Sequence, residues 1–101
     1  MSSPFVLINT FTVAPENQQR LIDLLIEITN ESIVHIEGFI TSTLHQSVDG
    51  TKVTMYAQWT SREAYEEMRK RPVASSALTE ALSFATFEMG MYDIVQVFQK
   101  Q

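Results

Sequence analysis

The sequence contains no cysteine, which removes several kinds of chemistry at once. Disulfide bridges, thiol nucleophiles and zinc–thiolate sites are all excluded for these 101 residues. The two histidines, His35 and His45, have no acidic cluster near them in the sequence, so their pattern does not indicate a metal site.

Basic residues are scarce as well. Seven Lys and Arg stand against twelve Asp and Glu, and the formal net charge is −5. Nucleic-acid binding needs clustered positive charge to neutralise phosphates, so we expect no nucleic-acid partner. The one basic cluster, Arg69-Lys70-Arg71, follows three glutamates and is predicted to form the cationic last turn of a helix.

Long apolar runs are missing too, since none approaches the roughly 18 residues of a membrane span. The start, Met-Ser-Ser-Pro, lacks the charged and apolar regions of a signal peptide. We therefore expect a cytoplasmic location and no membrane partner.

The chain is rich in apolar residues. Hydrophobic residues make up 45% of it and aromatic residues 10%. That suffices for one core, so residues 1–101 are predicted to form a single domain.

Alternation and helical periodicity predict the order strand, helix, strand, strand, helix, strand. The predicted strands cover 5–13, 39–48, 51–59 and 87–98, and the first helix covers 15–34. Asp49-Gly50 indicates a tight hairpin between the second and third strands. A capping box at Thr60–Glu63 opens a short helix that Pro72 breaks, and another short helix follows over about 73–84. The predicted fold class is α+β, a ferredoxin-like split βαβ with a four-stranded antiparallel sheet.

Such a sheet has helices on one face only. Alternation places on the other face a set of apolar residues: Val6, Ile8, Tyr56, Tyr92, Ile94 and Phe98. A contiguous apolar patch of this kind is rarely left in water, and a second copy would cover it by two-fold symmetry. We predict a homodimer. The alternative is a monomer with scattered apolar surface residues.

Asn9 interrupts an apolar stripe along the first strand, between Leu7 and Phe11. A buried amide without a hydrogen bond is costly, so it needs a partner or a ligand. Either Asn9 bonds to neighbouring backbone in the core, or its side chain faces a binding pocket.

Three segments resemble the antibiotic biosynthesis monooxygenase superfamily. They are EGF at 37–39, SVDGTKVTMYAQW at 47–59 and TSREAYEEM at 60–68, and the resemblance extends over about residues 5–98. It implies a dimeric α/β barrel with a mostly apolar pocket between helices and sheet. The superfamily includes cofactor-free monooxygenases that oxidise polycyclic aromatic phenols to quinones, and also haem-degrading enzymes. The resemblance to the first group implies no cofactor and no metal.

The resemblance also singles out individual positions. Asn9 lies where haem-degrading members have an Asn, Trp59 matches the shared Trp that ends the third strand, and Tyr65 matches a Tyr of aromatic-oxidising members. Two departures stand beside these matches. The aromatic-oxidising pattern has an Asn where this chain has Met55, and the helix after Trp59 lacks the His that haem degradation needs.

These observations predict a cofactor-independent monooxygenase-like enzyme that oxidises a small aromatic, quinol or polyketide-like substrate with O2. Asn9 and Trp59 are predicted as polar groups of its pocket, and Tyr65 as an orienting residue, although Trp59 and Tyr65 could serve packing alone. Two alternatives stay open. One is a catalytically silent ligand-binding or regulatory module of the same fold, which Met55 favours, and the other is a cofactor-free isomerase or cyclase.

Overall fold

The computed structural model describes residues 4–101, in which four strands form one antiparallel sheet. The strands are β1 (Phe5–Val13), β2 (Phe39–Gln46), β3 (Lys52–Trp59) and β4 (Ala85–Tyr92). Their order across the sheet is β2-β3-β1-β4. The helices are α1 (Gln18–Glu31), α2 (Arg62–Arg69) and α3 (Pro72–Leu82). The predicted ferredoxin-like α+β fold is confirmed. Residues 1–3, on which part of the signal-peptide argument rests, lie outside the described residues.

The element boundaries differ from the predictions at several places, mostly by one or two residues. The predicted helix over 15–34 is α1 with a short 3-10 turn at each end, Pro15–Asn17 and Ile33–His35. The N-cap of α2 is Ser61, whose Oγ accepts from the Ala64 amide at 3.1 Å, so the Thr60 capping box is wrong. Thr60 instead prolongs the strand pairing, because its amide donates to the Gly38 carbonyl at 2.7 Å.

The last strand is shorter than the predicted 87–98. β4 ends at Tyr92, which pairs with Val6, and residues 93–101 have no regular secondary structure. A strand needs a neighbour for its backbone hydrogen bonds, and β1 begins at Phe5. β4 ends one residue short of the start of β1, where Phe5 pairs with Trp59 of β3 and not with a residue of β4.

The helices cover one face of the sheet and bury two apolar clusters there. The first cluster consists of Phe11, Val13, Leu21, Ile22, Val53 and Ala81. The second consists of Leu7, Ala57, Trp59, Tyr65 and Met68. Cross-strand register separates them, since Phe11 pairs with Val53 and Leu7 pairs with Ala57. The row between these two pairs is occupied by Asn9 and Met55.

The second strand contains a bulge that decides which of its side chains face the helices. The register shifts between Phe39 and Thr41, after which Ser42 pairs with Ala57 and Leu44 with Met55. Paired residues lie on the same face of a sheet. Ser42 and Leu44 therefore face the helices, whereas Ile40 is about half exposed.

The opposite face of the sheet carries the apolar residues that alternation predicts. Register places Val6 beside Tyr92, and Ile8 beside both Tyr56 and Gly90. The Tyr92 ring lies over Gly90, where an added Cβ would be only 2.4 Å from the Tyr92 hydroxyl. The predicted members Ile94 and Phe98 lie beyond the end of β4 instead of on the sheet.

The turn between β2 and β3 is organised by one carboxylate. Asp49 Oδ1 accepts hydrogen bonds from the Thr51 hydroxyl at 2.7 Å, the Thr51 amide at 3.0 Å and the Ser47 hydroxyl at 2.8 Å. These bonds, those from Thr51 first, favour the ionised form and lower the pKa of Asp49 from 3.8 to about 2.

We predict a pH-dependent stability effect for Asp49→Asn. The folded-state pKa lies below the ordinary value, so the carboxylate stabilises the fold above pH 3.8 and loses that effect as the pH falls to about 2. The variant should be less stable than the parent at pH 7, and the difference should shrink to nothing across this window. Urea unfolding at a series of pH values measures it. Asp93→Asn, in the irregular C-terminal segment, is the control, and a difference that stays constant with pH would contradict the prediction.

Candidate active site

A cavity of about 90 Å³ lies between the sheet and the helices. This is well above the roughly 10–15 Å³ that one water molecule requires. The sheet contributes side chains from β1, β2, β3 and β4, and all three helices contribute to the opposite wall. The residues that line the cavity include Leu7, Asn9, Thr29, Ser42, Met55, Trp59, Arg69, Ala74, Ala77 and Ala81.

Small side chains on α3 make room for the cavity. Ala74, Ala77 and Ala81 recur at three- and four-residue spacing and line the same wall, as residues on one face of a helix do. A methyl group projects little from the helix surface, so the space opposite the sheet stays open. The cavity is therefore a property of the α3 sequence as well as of the sheet.

Within residues 4–101, four of the side chains that line this cavity each have a buried polar atom without a protein hydrogen-bond partner. These atoms are Asn9 Oδ1, Thr29 Oγ1, Ser42 Oγ and Trp59 Nε1. Buried polar groups in native proteins almost always have a partner, so each such exception calls for water or a ligand. The set offers both kinds of bond, because the indole N–H only donates, the amide oxygen only accepts and the hydroxyls do either.

Aromatic neighbours pack against the Trp59 ring, and its indole N–H has no hydrogen-bond partner within residues 4–101. Its side chain is 1% exposed. The ring meets Phe39 edge-on at a centroid distance of 5.4 Å and Tyr65 edge-on at 6.2 Å. These contacts fix the plane of the indole. The ring therefore contributes both to the core and to the cavity wall.

Tyr65 lies behind Trp59 and is not itself among the residues that line the cavity. It is 2% exposed, and its hydroxyl donates to Met89 Sδ at 3.0 Å and accepts from Arg69 Nη1 at 2.7 Å. The hydroxyl is therefore used within the protein, and the residue can orient Trp59 on one side and Arg69 on the other.

The histidines lie elsewhere. His35 and His45 are exposed, and His45 Nδ1 lies 3.2 Å from the Thr54 carbonyl oxygen. Across residues 4–101 no group of three His, Cys, Asp or Glu side chains is placed to hold a metal ion. None of the helices in this range is long and apolar enough to cross a membrane.

Comparison with known proteins identifies the family of this fold and cavity. The profile described as antibiotic biosynthesis monooxygenase matches residues 4–79, which include all of β1–β3, α1 and α2 and most of α3. The chain belongs to the antibiotic biosynthesis monooxygenase family.

Relatives within this family include a curated enzyme and solved structures. The chain is 44% identical over 68 residues to tetracenomycin-F1 monooxygenase of Streptomyces glaucescens, a match that covers 67% of the chain and 61% of that enzyme. A monooxygenase from ActVA-Orf6 of Streptomyces coelicolor, solved with the ligand nanaomycin D, is 31% identical, with a TM-score of 0.81 over 98% of this chain and 94% of that one. The cofactor-independent oxygenase SnoaB of Streptomyces nogalater has a TM-score of 0.78 at 20% identity, over 98% of this chain and 100% of that one, and shows the fold alone.

Met55 is the position where the resemblance to aromatic-oxidising members implies an Asn. In this chain Met55 lies on the cavity floor, directly across from Asn9 in the β1–β3 pairing. The same row of the sheet therefore still contains an amide, but it is that of Asn9 on β1 and not one on β3.

Of the residues predicted for this family member, Asn9 and Trp59 share the cavity and Tyr65 packs behind it. Their roles stay predictions. Sequence reasoning missed Thr29, Ser42 and Arg69 as lining residues. A signal existed for two of them, since Ser42 alternates with Leu44, and Arg69 follows Tyr65 by one helical turn.

We predict that Asn9→Leu separates stability from binding. Replacing a buried, unpartnered carbonyl by an apolar group of similar size should raise the free energy of unfolding by about 1 kcal/mol. Aromatic ligands that quench Trp59 fluorescence should bind roughly tenfold more weakly, because one polar contact is lost. Met55→Leu, an apolar exchange in the same row, is the matched control and should change neither quantity much. Loss of stability in Asn9→Leu with binding unchanged would make the amide structural.

Proposed function

We propose that this protein is a cofactor-independent monooxygenase that oxidises a small aromatic, quinol or polyketide-like substrate with O2. The observation that carries the proposal is the set of four unpartnered polar atoms around one apolar cavity, in a chain of this family. Ligand sites have this composition, mostly apolar walls with a few convergent polar groups. The similarity to tetracenomycin-F1 monooxygenase and to a monooxygenase solved with nanaomycin D supports an aromatic polyketide as the substrate class.

The proposed reaction needs no group beyond substrate and oxygen. An anthrol-type phenol loses its proton, and the resulting anion passes an electron to O2. The two radicals join at the ring carbon opposite the phenol to form a hydroperoxide. That carbon then loses its hydrogen as the O–O bond breaks, which leaves a quinone carbonyl and releases water. One oxygen atom enters the product and the other becomes water.

The protein's part in this reaction is to bind, orient and exclude water. The Asn9 Nδ2–H and the Trp59 Nε1–H would donate hydrogen bonds to the oxygen atoms on which charge develops, where a dry cavity strengthens such bonds, and Asn9 Oδ1 would accept from a substrate hydroxyl. Tyr65 would act as a positioning residue, through its contacts with Trp59 and Arg69. Thr29 and Ser42 offer hydroxyls for further ring substituents.

We predict oxygen consumption without added metal or flavin. In an oxygen electrode, the protein treated with chelator should consume one O2 per molecule of an anthrol and yield the quinone. The rate should exceed that of autoxidation, and Asn9→Leu should lower it by about tenfold or more, as expected for removal of one group that stabilises an oxyanion. Met55→Leu is the control. An uptake no faster than autoxidation across a panel of anthrols would overturn the oxygenase proposal.

A second candidate function is supported by Met55, which replaces the Asn of aromatic-oxidising members at the centre of the cavity floor. A silent binding or regulatory module would quench Trp59 on ligand addition and consume no oxygen. A cofactor-free isomerase or cyclase would convert its ligand without oxygen uptake. The electrode, the fluorescence titration and product analysis together distinguish the three.

We also propose that the active form is a homodimer, and a cytoplasmic location stays a prediction. Two features support the dimer. The face of the sheet away from the helices carries Ile8 and Tyr56, which are half-buried, and Tyr92, which is 51% exposed. Next to it, the segment after β4 leaves large apolar side chains in solvent, with Val95 94% exposed and Phe98 88% exposed. A second copy packing on this face and on the segment would bury both.

We predict a dimer at micromolar concentration in sedimentation velocity. The double variant Val95→Lys and Phe98→Lys should sediment as a monomer, because burying two lysines at an apolar contact is unfavourable. Val48→Lys changes an equally exposed residue in the β2–β3 turn and should leave the dimer intact. A monomeric parent protein would contradict the proposal.

A further inference from the structure

Among the described residues 4–101, Arg69 is the one charged residue that lines the cavity. It ends α2, and its Nη1 donates to the Tyr65 hydroxyl at 2.7 Å and lies 3.8 Å from Met89 Sδ. The guanidinium carbon lies 5.9 Å from the centre of the Tyr65 ring. Met89 pairs directly with Asn9 in the sheet. The guanidinium is therefore held at the end of the row of paired sheet residues that contains Asn9, beside the cavity.

The positive charge of Arg69 has no carboxylate partner within residues 4–101. The ion pairs of this helix region join Arg62 to Glu66 and Lys70 to Glu67, and neither includes Arg69. Only Nη1 of its guanidinium makes a hydrogen bond to the described protein, so donors on Nη2 and Nε remain for a ligand. Glu88, the nearest acidic residue along β4, pairs with Thr10 and so belongs to the opposite face from Met89.

We propose that Arg69 binds an anionic oxygen of the ligand and makes the site selective for ionised phenols and hydroxyquinones over their neutral ethers. This rests on the proposed function, since it concerns the same cavity. Hydrogen bonds between a guanidinium and an anionic oxygen are about twice as strong as neutral ones. An apolar surrounding strengthens the attraction further. Tyr65 positions the guanidinium through its hydroxyl and its ring.

A matched pair of ligands tests this selectivity directly. The probes are 2-hydroxy-1,4-naphthoquinone, which is ionised at neutral pH, and its methyl ether, which cannot ionise. Dissociation constants follow from quenching of Trp59 at pH 7. The parent protein should bind the anion at least about tenfold more tightly than the ether, the preference expected of a charge-assisted hydrogen bond.

Substitutions assign the preference to Arg69. Arg69→Gln should abolish the preference with little change in affinity for the ether, and Arg69→Lys should restore part of it because the charge returns. Arg71→Gln removes the same charge from an exposed position outside the cavity and should leave the preference intact. Thermal melts of each variant check that it is folded.

The outcomes separate this inference from the proposed function. A parent that binds both probes equally, or an Arg69→Gln variant that keeps the preference, overturns the role of Arg69 and leaves the oxygenase proposal standing. A preference lost equally in Arg71→Gln shows a general charge effect and also overturns it. If neither probe quenches Trp59, the quinone-binding cavity itself is refuted, and the role of Arg69 with it.

Discussion

The division of the core and the position of the cavity depend on one polar side chain in the middle of an apolar sheet face. Asn9 lies on β1, a central strand, with Leu7 before it and Phe11 after it on the same face. Apolar side chains cannot pack solidly over an amide without burying its hydrogen-bonding atoms unpaired. The core is accordingly divided into two clusters, one on each side of the Asn9 row. The cavity includes that row.

The division of the core also explains the chemistry of the cavity. Its walls come from the edges of two apolar clusters, so they are mostly hydrocarbon, and polar atoms reach it only at a few points. In such surroundings each hydrogen bond to a ligand is electrostatically stronger than in water. Arg69 adds a fixed positive charge at one end of the same row. A flat, oxygen-bearing aromatic fits this combination, because its ring needs apolar contact and its oxygens need donors.

The same features have a cost in stability. Each buried, unpartnered polar group is unfavourable by about 1–3 kcal/mol, against a total stability of about 5–15 kcal/mol for a typical domain. The apolar burial in the two clusters must offset this loss of stability. Trp59 and Tyr65 are almost fully buried and meet edge-on. Their aromatic packing lies beside the cavity, where the polar atoms without a hydrogen-bond partner are found. The cavity is thus maintained by the aromatic residues adjoining it.

The sequence by itself determined the element order and the ferredoxin-like fold, because alternation, helical periodicity and turn residues are local and lie in short stretches of chain. The family followed from the resemblance of the segments 37–39, 47–59 and 60–68. The sequence also indicated Asn9, whose polarity breaks a period-two pattern that needs no knowledge of its neighbours. It could not place the end of β4, because the length of a strand depends on the partner strand. Nor could it show that Thr29, Ser42 and Arg69 share one cavity with Trp59. Those side chains come from four different elements, α1, β2, α2 and β3. Only tertiary packing brings them around one cavity. The bulge at Phe39–Thr41 and the small alanines of α3 are part of that packing.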